Sequence, residues 1–294
     1  MTSVSVVVPH YGNPAPTLTL VHQLLDQVEP AVEIIVSDDA SPEPFPEVEG
    51  TTVVRRSTNG GFGANVNSAA AAATGDALLV LNSDLTVEQT FVRDMVAASV
   101  RHPQAVMSPR VVDDLGNDAW TGRDFPAARH HAAAWLTPLA RWRHTTTWHR
   151  AVGHDVEAHT SETEVDWVVG AAMWIPLEEF RAVGGFDERF YMNSEEVDLQ
   201  RRLRQHGIGS VALREPTVVH VGGGSSPSGA RRRWLVDGEL TYADKWSSRR
   251  RLQGVLVAAT AANLAANALR RAAGRDLRPL EIARSELAMI RGCR

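Results

Sequence analysis

Three short acidic clusters stand where regular elements stop or start, and their residue types suit one chemistry. Leu78-Leu79-Val80-Leu81 is an apolar run that ends on Asn82-Ser83-Asp84. Val32–Ser37 runs into Asp38-Asp39-Ala40-Ser41, and Asn193-Ser194-Glu195-Glu196 opens a helical pattern. A buried strand that delivers a carboxylate to its C-terminal end presents it at the crevice where an α/β sheet binds ligands. Such clusters suit a hard cation and a polyphosphate, because Mg²⁺ takes one or two protein carboxylates and completes its shell with phosphate oxygens. Each cluster also has a purely structural reading. Asp38–Ser41 can be an Asx-type turn, and Asp84 can cap a helix from Val87. Asn193 and Glu196 have the spacing of a capping box, with acids favoured in a first turn.

Asn59-Gly60-Gly61-Phe62-Gly63-Ala64-Asn65 is glycine-rich and opens a helix, so its backbone N–H groups can approach a nucleotide. It is not a dinucleotide fingerprint, since His10-Tyr11-Gly12-Asn13-Pro14 follows the first strand. Asp39 can accept the ring N–H of uracil or thymine, or bind a ribose hydroxyl. His220 ends a strand before Gly222-Gly223-Gly224-Ser225-Ser226, where a neutral imidazole can complete a metal site or serve only as packing.

These residues need a sheet to position them. The first hundred residues alternate strand and helix signals: strands at Ser3–Pro9, Val32–Ser37, Thr51–Arg55, Ala77–Leu81 and Ala105–Val112, helices at Thr17–Val28, Phe62–Ala73 and Val87–Arg101. That alternation predicts βαβ units and a mostly parallel sheet. From about 113 to 164 the rhythm is lost, in a stretch rich in Trp and His. It reads either as a surface excursion whose aromatics pack locally or as an acceptor-binding region. Val165–Ile175 restores regularity, a short helix follows Pro176, Asn193–His206 is a helix, and Ile208–Arg214 and Thr217–Val221 are strands. Beyond about 226 the pattern is helical and rich in arginine.

At 294 residues the chain can bury a large core, and a net charge of −5 speaks against a surface that coats nucleic acid. Cys293 is the only cysteine, which leaves no disulfide framework or Cys-based zinc site within one chain. Met1–Pro9 lacks a basic n-region, and no run reaches 18 strongly apolar residues, so neither a signal peptide nor a transmembrane helix is expected. A cytoplasmic location follows as an expectation.

The order of motifs resembles the inverting family 2 glycosyltransferases of GT-A fold, especially bacterial cell-envelope rhamnosyltransferases. The resemblance rests on Val4–Pro9 with Tyr11, Asp38-Asp39-Ala40-Ser41, Asn59–Asn65, Leu81-Asn82-Ser83-Asp84, Trp167–Ala171, Val183–Phe190, Glu195-Glu196-Val197-Asp198-Leu199 and His220–Ser225. It spans residues 3 to 226 and implies an α/β GT-A catalytic domain over 1–226, a variable acceptor-side segment at 113–164, and a helical C-terminal region over 227–294.

The resemblance also implies roles. Pro9, Tyr11, Asp39, Gly61, Gly63, Asn65, Asn82, Ser83 and Asp84 would bind the donor. Asp84 and His220 would hold Mg²⁺ or Mn²⁺, Trp167, Gly170 and Glu195 would face the acceptor, and Glu196 would be the base. The family's usual Glu-Asp pair is Glu195-Glu196 here, so either carboxylate is a candidate base. The expected donor is dTDP-L-rhamnose, with UDP-sugars (galactofuranosyl, GlcNAc or similar) as the alternative. The expected acceptor is a glycan or a polyprenyl-diphosphate-linked sugar of the cell envelope. Two other classes stand beside it. A nucleotidyltransferase would want a Lys or Arg in residues 10–16, which hold neither, and a non-catalytic nucleotide-sugar-binding scaffold would not need Asp84, Glu195, Glu196 and His220 together. Arg231-Arg232-Arg233 and Arg249-Arg250-Arg251 bracket Trp234 and Trp246 before the uncharged Leu252–Leu269. That tail fits a peripheral contact with anionic lipid, packing on the core, or a homodimer interface.

Overall fold

Val4–His10 is a β-branched run buried along its whole length, and it forms the central strand β1. Asn13 accepts the Ala15 N–H through its side chain and Pro14 sits at the first turn, so α1 (Pro14–Leu25) starts earlier than its apolar spacing predicts. β2 (Glu33–Asp38), β3 (Thr51–Arg55), α2 (Phe62–Ala72) and β4 (Ala77–Leu81) complete the parallel half. β5 (Leu85–Thr86), α3 (Phe91–Arg101) and β6 (Ala105–Val112) follow. The helix expected from Val87 begins at Phe91, after Leu85–Thr86 pairs as a strand and Thr90 takes the N-cap position. Asp84 is therefore no helix cap.

These elements are drawn from a computed structural model that describes residues 2–221 and 228–292. The 113–164 excursion contains β7 (Gly122–Arg123), α4 (Ala128–Trp135), a 3₁₀ turn over Thr137–Trp142, α5 (Thr146–Ala151) and the start of β8 (Thr163–Val165). The regular stretch expected over Val165–Ile175 is divided among β8, β9 (Trp167–Val168) and β10 (Ala172–Pro176). Then come α6 (Leu177–Ala182), α7 (Glu195–Gln205) and β11 (Gly209–His220). The two strands expected at 208–221 are one, with a register shift between Ala212 and Thr217.

The sheet order is β3-β2-β1-β4-β10-β6-β11-β5, with β8 also on β11. β1 to β4 run parallel and β6 runs parallel to β11, while β10 lies antiparallel between β4 and β6. The C-terminal ends of β1, β2 and β4 thus open on one crevice, and the clusters at Asp38-Asp39 and Asn82-Ser83-Asp84 fall there. One core cluster, including Leu20, Phe91, Met95 and Trp174, fills one face of the sheet. The other, including Val66, Phe180, Phe186 and Leu203, fills the opposite face.

α8 (Ser228–Trp246), α9 (Arg249–Ala272) and α10 (Pro279–Arg291) pack together around Val236, Leu240, Leu256 and Ile290, with Trp135 of α4 in the same cluster. Polar groups fix the junction. Trp135 Nε1 donates to Thr260 Oγ1 at 2.9 Å, and the Thr137 N–H donates to Asn263 Oδ1 at 2.9 Å. The same helices grip α7: Trp246 Nε1 donates to Asp198 at 2.7 Å, and Lys245 Nζ reaches Asp198 at 2.7 Å and Asp187 at 2.8 Å. Packing of the tail on the core is therefore realised. Contrary to the expectation from composition, α9 is long and apolar enough to cross a membrane by length and composition, with a third of that stretch buried inside the protein.

Candidate active site

The loop after β2 separates two neighbouring carboxylates by task. Asp38 is fully buried, accepts the Ser41 and Phe45 N–H groups, and pairs with Arg55. Those partners overcome its burial and hold it below the usual carboxylate range. Asp39 turns to the glycine loop instead. It accepts the Gly60 N–H at 2.9 Å, the Gly61 N–H at 2.8 Å and Arg56 Nε at 2.9 Å. Gly61 has φ +85, and a Cβ there would be driven into the Tyr191 carbonyl, so only glycine allows the loop to lie so close.

Asn82-Ser83-Asp84 leaves β4 at the antiparallel switch, tied down by the Asn82 N–H on the Ala171 carbonyl at 2.8 Å. β5 then pairs with the end of β11, placing His220 opposite Leu85. His220 Nε2 consequently lies 3.1 Å from Asp84 Oδ1 and 3.4 Å from Asn82 Nδ2. Adjacent ligands of an octahedral ion with bonds near 2.1 Å stand about 3 Å apart, so the spacing of this oxygen and nitrogen fits two ligands of one cation. No group of three or more acidic, His or Cys residues forms a metal cluster among the described residues. A cation at Asp84 and His220 would depend on substrate oxygens for the rest of its shell.

α7 begins at Glu195, so the glutamates are its first two residues. Asn193 and Ser194 are both left-handed, with φ 70 and 68, and Ser194 makes no side-chain cap. The capping-box reading fails. A Cβ on Gly238 would be driven into the Asn193 carbonyl, so α8 presses this turn into shape. Glu195 is buried, and a Cβ on Gly63 would lie 3.7 Å from its Cβ. Glu196 is half-buried along Gly170, whose added Cβ would lie 3.5 Å from its Cβ and Cγ. Burial raises both carboxyls above the ordinary glutamate range, and for Glu195 the charge of Glu196 adds to it. Glu195 Oε2 and Glu196 Oε2 are buried without a hydrogen-bond partner among the described residues.

A cavity of about 830 Å³ opens at the crevice. Pro9, Tyr11, Asp39, Gly61, Asn65, Asn82, Ser83, Asp84 and His220 all line it, so most residues expected on the donor side come together. Gly63 does not. It is buried, and a Cβ there would crowd Phe186 at 2.9 Å, which makes it a packing glycine. Trp167, expected on the acceptor wall, is also internal: its indole donates to the Asp124 carbonyl and packs with Phe190, Val197 and Tyr242. Gly222–Ser226, the rest of the His220 motif, and Cys293 lie outside the described residues. The cavity wall continues through Tyr191, Met192 and Asn193 and stops there, short of α7; Glu195, Glu196 and Gly170, expected at the acceptor, do not line it.

Sequence reasoning missed part of this wall. His10, Arg231, Arg232 and Trp234 line the cavity as well. His10 sits in plain view at the end of β1, whereas the arginines of α8 point in sequence only to lipid, packing or a homodimer interface. The aromatic residues of the excursion mostly meet each other, as Trp120 stacks on His149 at 3.6 Å and on His159 at 4.1 Å.

The family model described as glycosyl transferase family 2 matches residues 5–154, just over half of the chain. The chain belongs to glycosyl transferase family 2. This glycosyltransferase is 28% identical over 239 residues to an N-acetylglucosaminyl-diphospho-decaprenol L-rhamnosyltransferase of Mycobacterium tuberculosis, covering 75% of this chain and 76% of that protein. It is 26% identical over 230 residues to the O-antigen biosynthesis protein RfbC of Myxococcus xanthus, covering 74% of this chain and 17% of that one. Among solved structures, the mannosyltransferase PcManGT of Pyrobaculum calidifontis, in complex with GDP-Man and Mn²⁺, matches with a TM-score of 0.58 at 15% identity. That match covers 99% of this chain and 84% of the other. S. aureus TarS 1–349 matches with a TM-score of 0.53 at 13% identity, over 88% and 80%. At such identities these likenesses establish the GT-A fold of the glycosyltransferase and nothing finer.

Proposed function

We propose that this glycosyltransferase moves L-rhamnose from dTDP-L-rhamnose to a polyprenyl-diphosphate-linked or polymeric cell-envelope glycan, with inversion at the anomeric carbon. The observation that supports the reading is one cavity that gathers Asp39, the glycine loop and the Asp84–His220 pair, with its wall ending at Asn193 just before the helix that carries the glutamates. In this reading Asp39, with the glycine loop it holds, receives the nucleoside, and Asp84 and His220 receive Mg²⁺ or Mn²⁺. Such an ion would offset charge developing on the leaving diphosphate. The carboxylate of Glu196 takes the proton from the acceptor hydroxyl as that oxygen bonds to C1 and the bond from C1 to the diphosphate oxygen breaks. Gly170, which leaves room along Glu196, belongs to the acceptor side.

The rhamnosyl donor and lipid-linked acceptor are carried over from the mycobacterial relative, whose name states both L-rhamnosyl transfer and a diphospho-decaprenol acceptor. Residues 1–226 act as the catalytic unit and 227–294 as a helical unit that braces α7. The exposed face of α9, with arginines at both ends, rests against the cytoplasmic face of the membrane where such an acceptor resides. The test is a transfer assay of the full chain with dTDP-L-rhamnose, UDP-GlcNAc and UDP-galactofuranose. N-acetylglucosaminyl-diphospho-polyprenol serves as acceptor, with Mn²⁺, Mg²⁺ or EDTA. Rhamnosyl product is the expected result. Product only from a UDP-sugar moves the assignment to that donor, and no product from any pair sinks the catalytic reading.

A further inference from the structure

α8 walls two cavities. Arg231, Arg232, Trp234 and Leu235 reach the crevice, while Trp234, Asp237, Gly238 and Thr241 border a second cavity of about 280 Å³. Tyr191, Met192 and Trp234 line both, so the smaller space is an annex of the larger. It has room for one sugar ring and not for a nucleotide.

The partition between the two is held from both sides. The Tyr191 and Trp234 rings meet at 5.4 Å and 56°. Tyr191 Oη donates to Asn59 Oδ1 at 3.0 Å, and the Tyr191 carbonyl accepts the Phe62 N–H at 3.1 Å, which ties this residue to the glycine loop. α8 is fixed by its close approach at Gly238, by Val236 and Leu240 in the helical core, and by Trp246 on Asp198. The annex is therefore preformed, and the turn that Gly238 presses on leads into Glu195.

The polar groups of this wall are unevenly spent. Arg232 pairs with Glu286 at 3.3 Å and lies over the Trp135 ring at 4.9 Å. Asp39 is paired with Arg56, Asp84 with His220, and Arg189 of the annex with Asp187. The guanidinium of Arg231 makes no ion pair, hydrogen bond or ring contact among the described residues. The half-buried carboxylate of Asp237 makes no hydrogen bond or ion pair among them either. Polar groups left open in a cavity wall are groups whose partners a ligand can supply.

These groups also stand in an order. Arg231, Trp234 and Asp237 follow at intervals of three residues, a rise of about 4.5 Å each along the helix. Guanidinium, aromatic plate and carboxylate match in turn a diphosphate, the apolar face of the sugar attached to it, and a hydroxyl farther round the ring. The Asp84–His220 pair, suited to a cation, already provides for one diphosphate. Arg231 and the annex provide for a second.

We propose that α8 and the annex form the subsite for the acceptor's sugar 1-diphosphate, with Arg231 on the diphosphate, Trp234 against the sugar ring and Asp237 on a ring hydroxyl. This rests on the reading of the chain as a transferase to a diphosphate-linked sugar. It places the acceptor's seat on the C-terminal helices and not on the 113–164 excursion, where Trp120 is already stacked on His149 and His159.

The test reads binding, by calorimetric titration of farnesyl-diphospho-N-acetylglucosamine into the full chain with dTDP and Mn²⁺ present. Arg231→Gln and Asp237→Asn are each expected to weaken this probe about tenfold or more, the loss that goes with a hydrogen bond to a charged group. Both are expected to bind dTDP with Mn²⁺ like the wild type. Farnesyl diphosphate, which lacks the sugar, is expected to respond to Arg231→Gln and not to Asp237→Asn. Arg233→Gln makes the same charge change on the same turn but lines neither cavity, and it is expected to change nothing. A wild type that does not bind the probe overturns the proposal, as does unchanged binding in either cavity variant. So does a loss of dTDP affinity in Arg231→Gln, which would hand the arginine to the donor's diphosphate. Probe binding as expected in a chain that transfers nothing sinks the functional reading alone. Transfer to this acceptor with an unchanged KM in both variants sinks the subsite alone.

Discussion

Asp84 and His220 are close enough to act as one cation-binding unit, and the proposed mechanism gives the proton transfer to Glu196. Asp84→Ala is expected to abolish transfer and to remove the thermal stabilisation that dTDP gives in the presence of Mn²⁺, while the melting of the free protein barely moves. Equal turnover in EDTA and Mg²⁺ would take the metal out of the mechanism. Glu196→Gln is expected to lower turnover by ~10²–10⁴-fold with donor binding intact. Glu196→Asp should retain part of the rate and Glu195→Gln most of it. A dead Glu195→Gln beside an active Glu196→Gln would reverse the roles. Burial and the neighbouring Glu196 raise the Glu195 carboxyl above its unfolded value, so the native chain holds a proton that the unfolded chain releases. Stability therefore falls as pH rises from about 4.5 through the folded value. Glu195→Gln should melt above the wild type at pH 8, with the difference vanishing toward pH 4.5. A constant difference across that range would show that the group does not titrate there.

At the scale of elements, α7 is the part that everything else braces. Asp198, one turn beyond the glutamates, is fully buried and receives Lys245, Trp246 and Arg202. Lys245 also bonds Asp187, which with Arg189 holds that carboxyl well below the usual range. Removing one partner of a buried ion pair leaves the other uncompensated, at a cost of ~3–5 kcal/mol. Lys245→Met is expected to destabilise the chain by about 3 kcal/mol in urea unfolding, near the lower end because Lys245 is partly exposed. A change below 1 kcal/mol would mean that Arg202 and Trp246 alone satisfy Asp198. Three strand ends that deliver ligands, after β1, β2 and β4, were legible from apolar runs ending on polar residues. The start of α7 was not. Asn193 and Ser194 have good capping side chains, yet the close approach of α8 at Gly238 forces both into left-handed backbone.

For the whole molecule, the C-terminal helices do two jobs at once, lining the cavity through Arg231, Arg232 and Trp234 and presenting α9 outward. Val257 and Leu269 are exposed on that helix, and Arg250, Arg251, Arg270 and Arg271 are exposed at its two ends. Replacing these four arginines by Gln in the full chain is expected to weaken binding to phosphatidylserine-containing vesicles by roughly 1 kcal/mol per arginine, with no change in the melting temperature. Equal flotation of both proteins would remove the membrane role from α9 and leave it the packing role alone.

What the sequence determined by itself was whatever short-range pattern encodes. β-branched runs ending on Asp38, Asp39 and Asp84 set the parallel half of the sheet and the carboxylates at its crevice, and the motif order was enough to indicate the family. Tertiary structure decided whatever depends on segments meeting from far along the chain. It turned Trp167 and Gly63 into packing residues, because α7 and the turn at Phe186 cover them. It brought His220 within reach of Asp84 only because β5 pairs with the end of β11. It put Asn193 and Ser194 in left-handed backbone against α8, where their side-chain chemistry pointed to an ordinary helix cap, since a turn's neighbours are chosen by how distant elements pack and not by spacing along the chain.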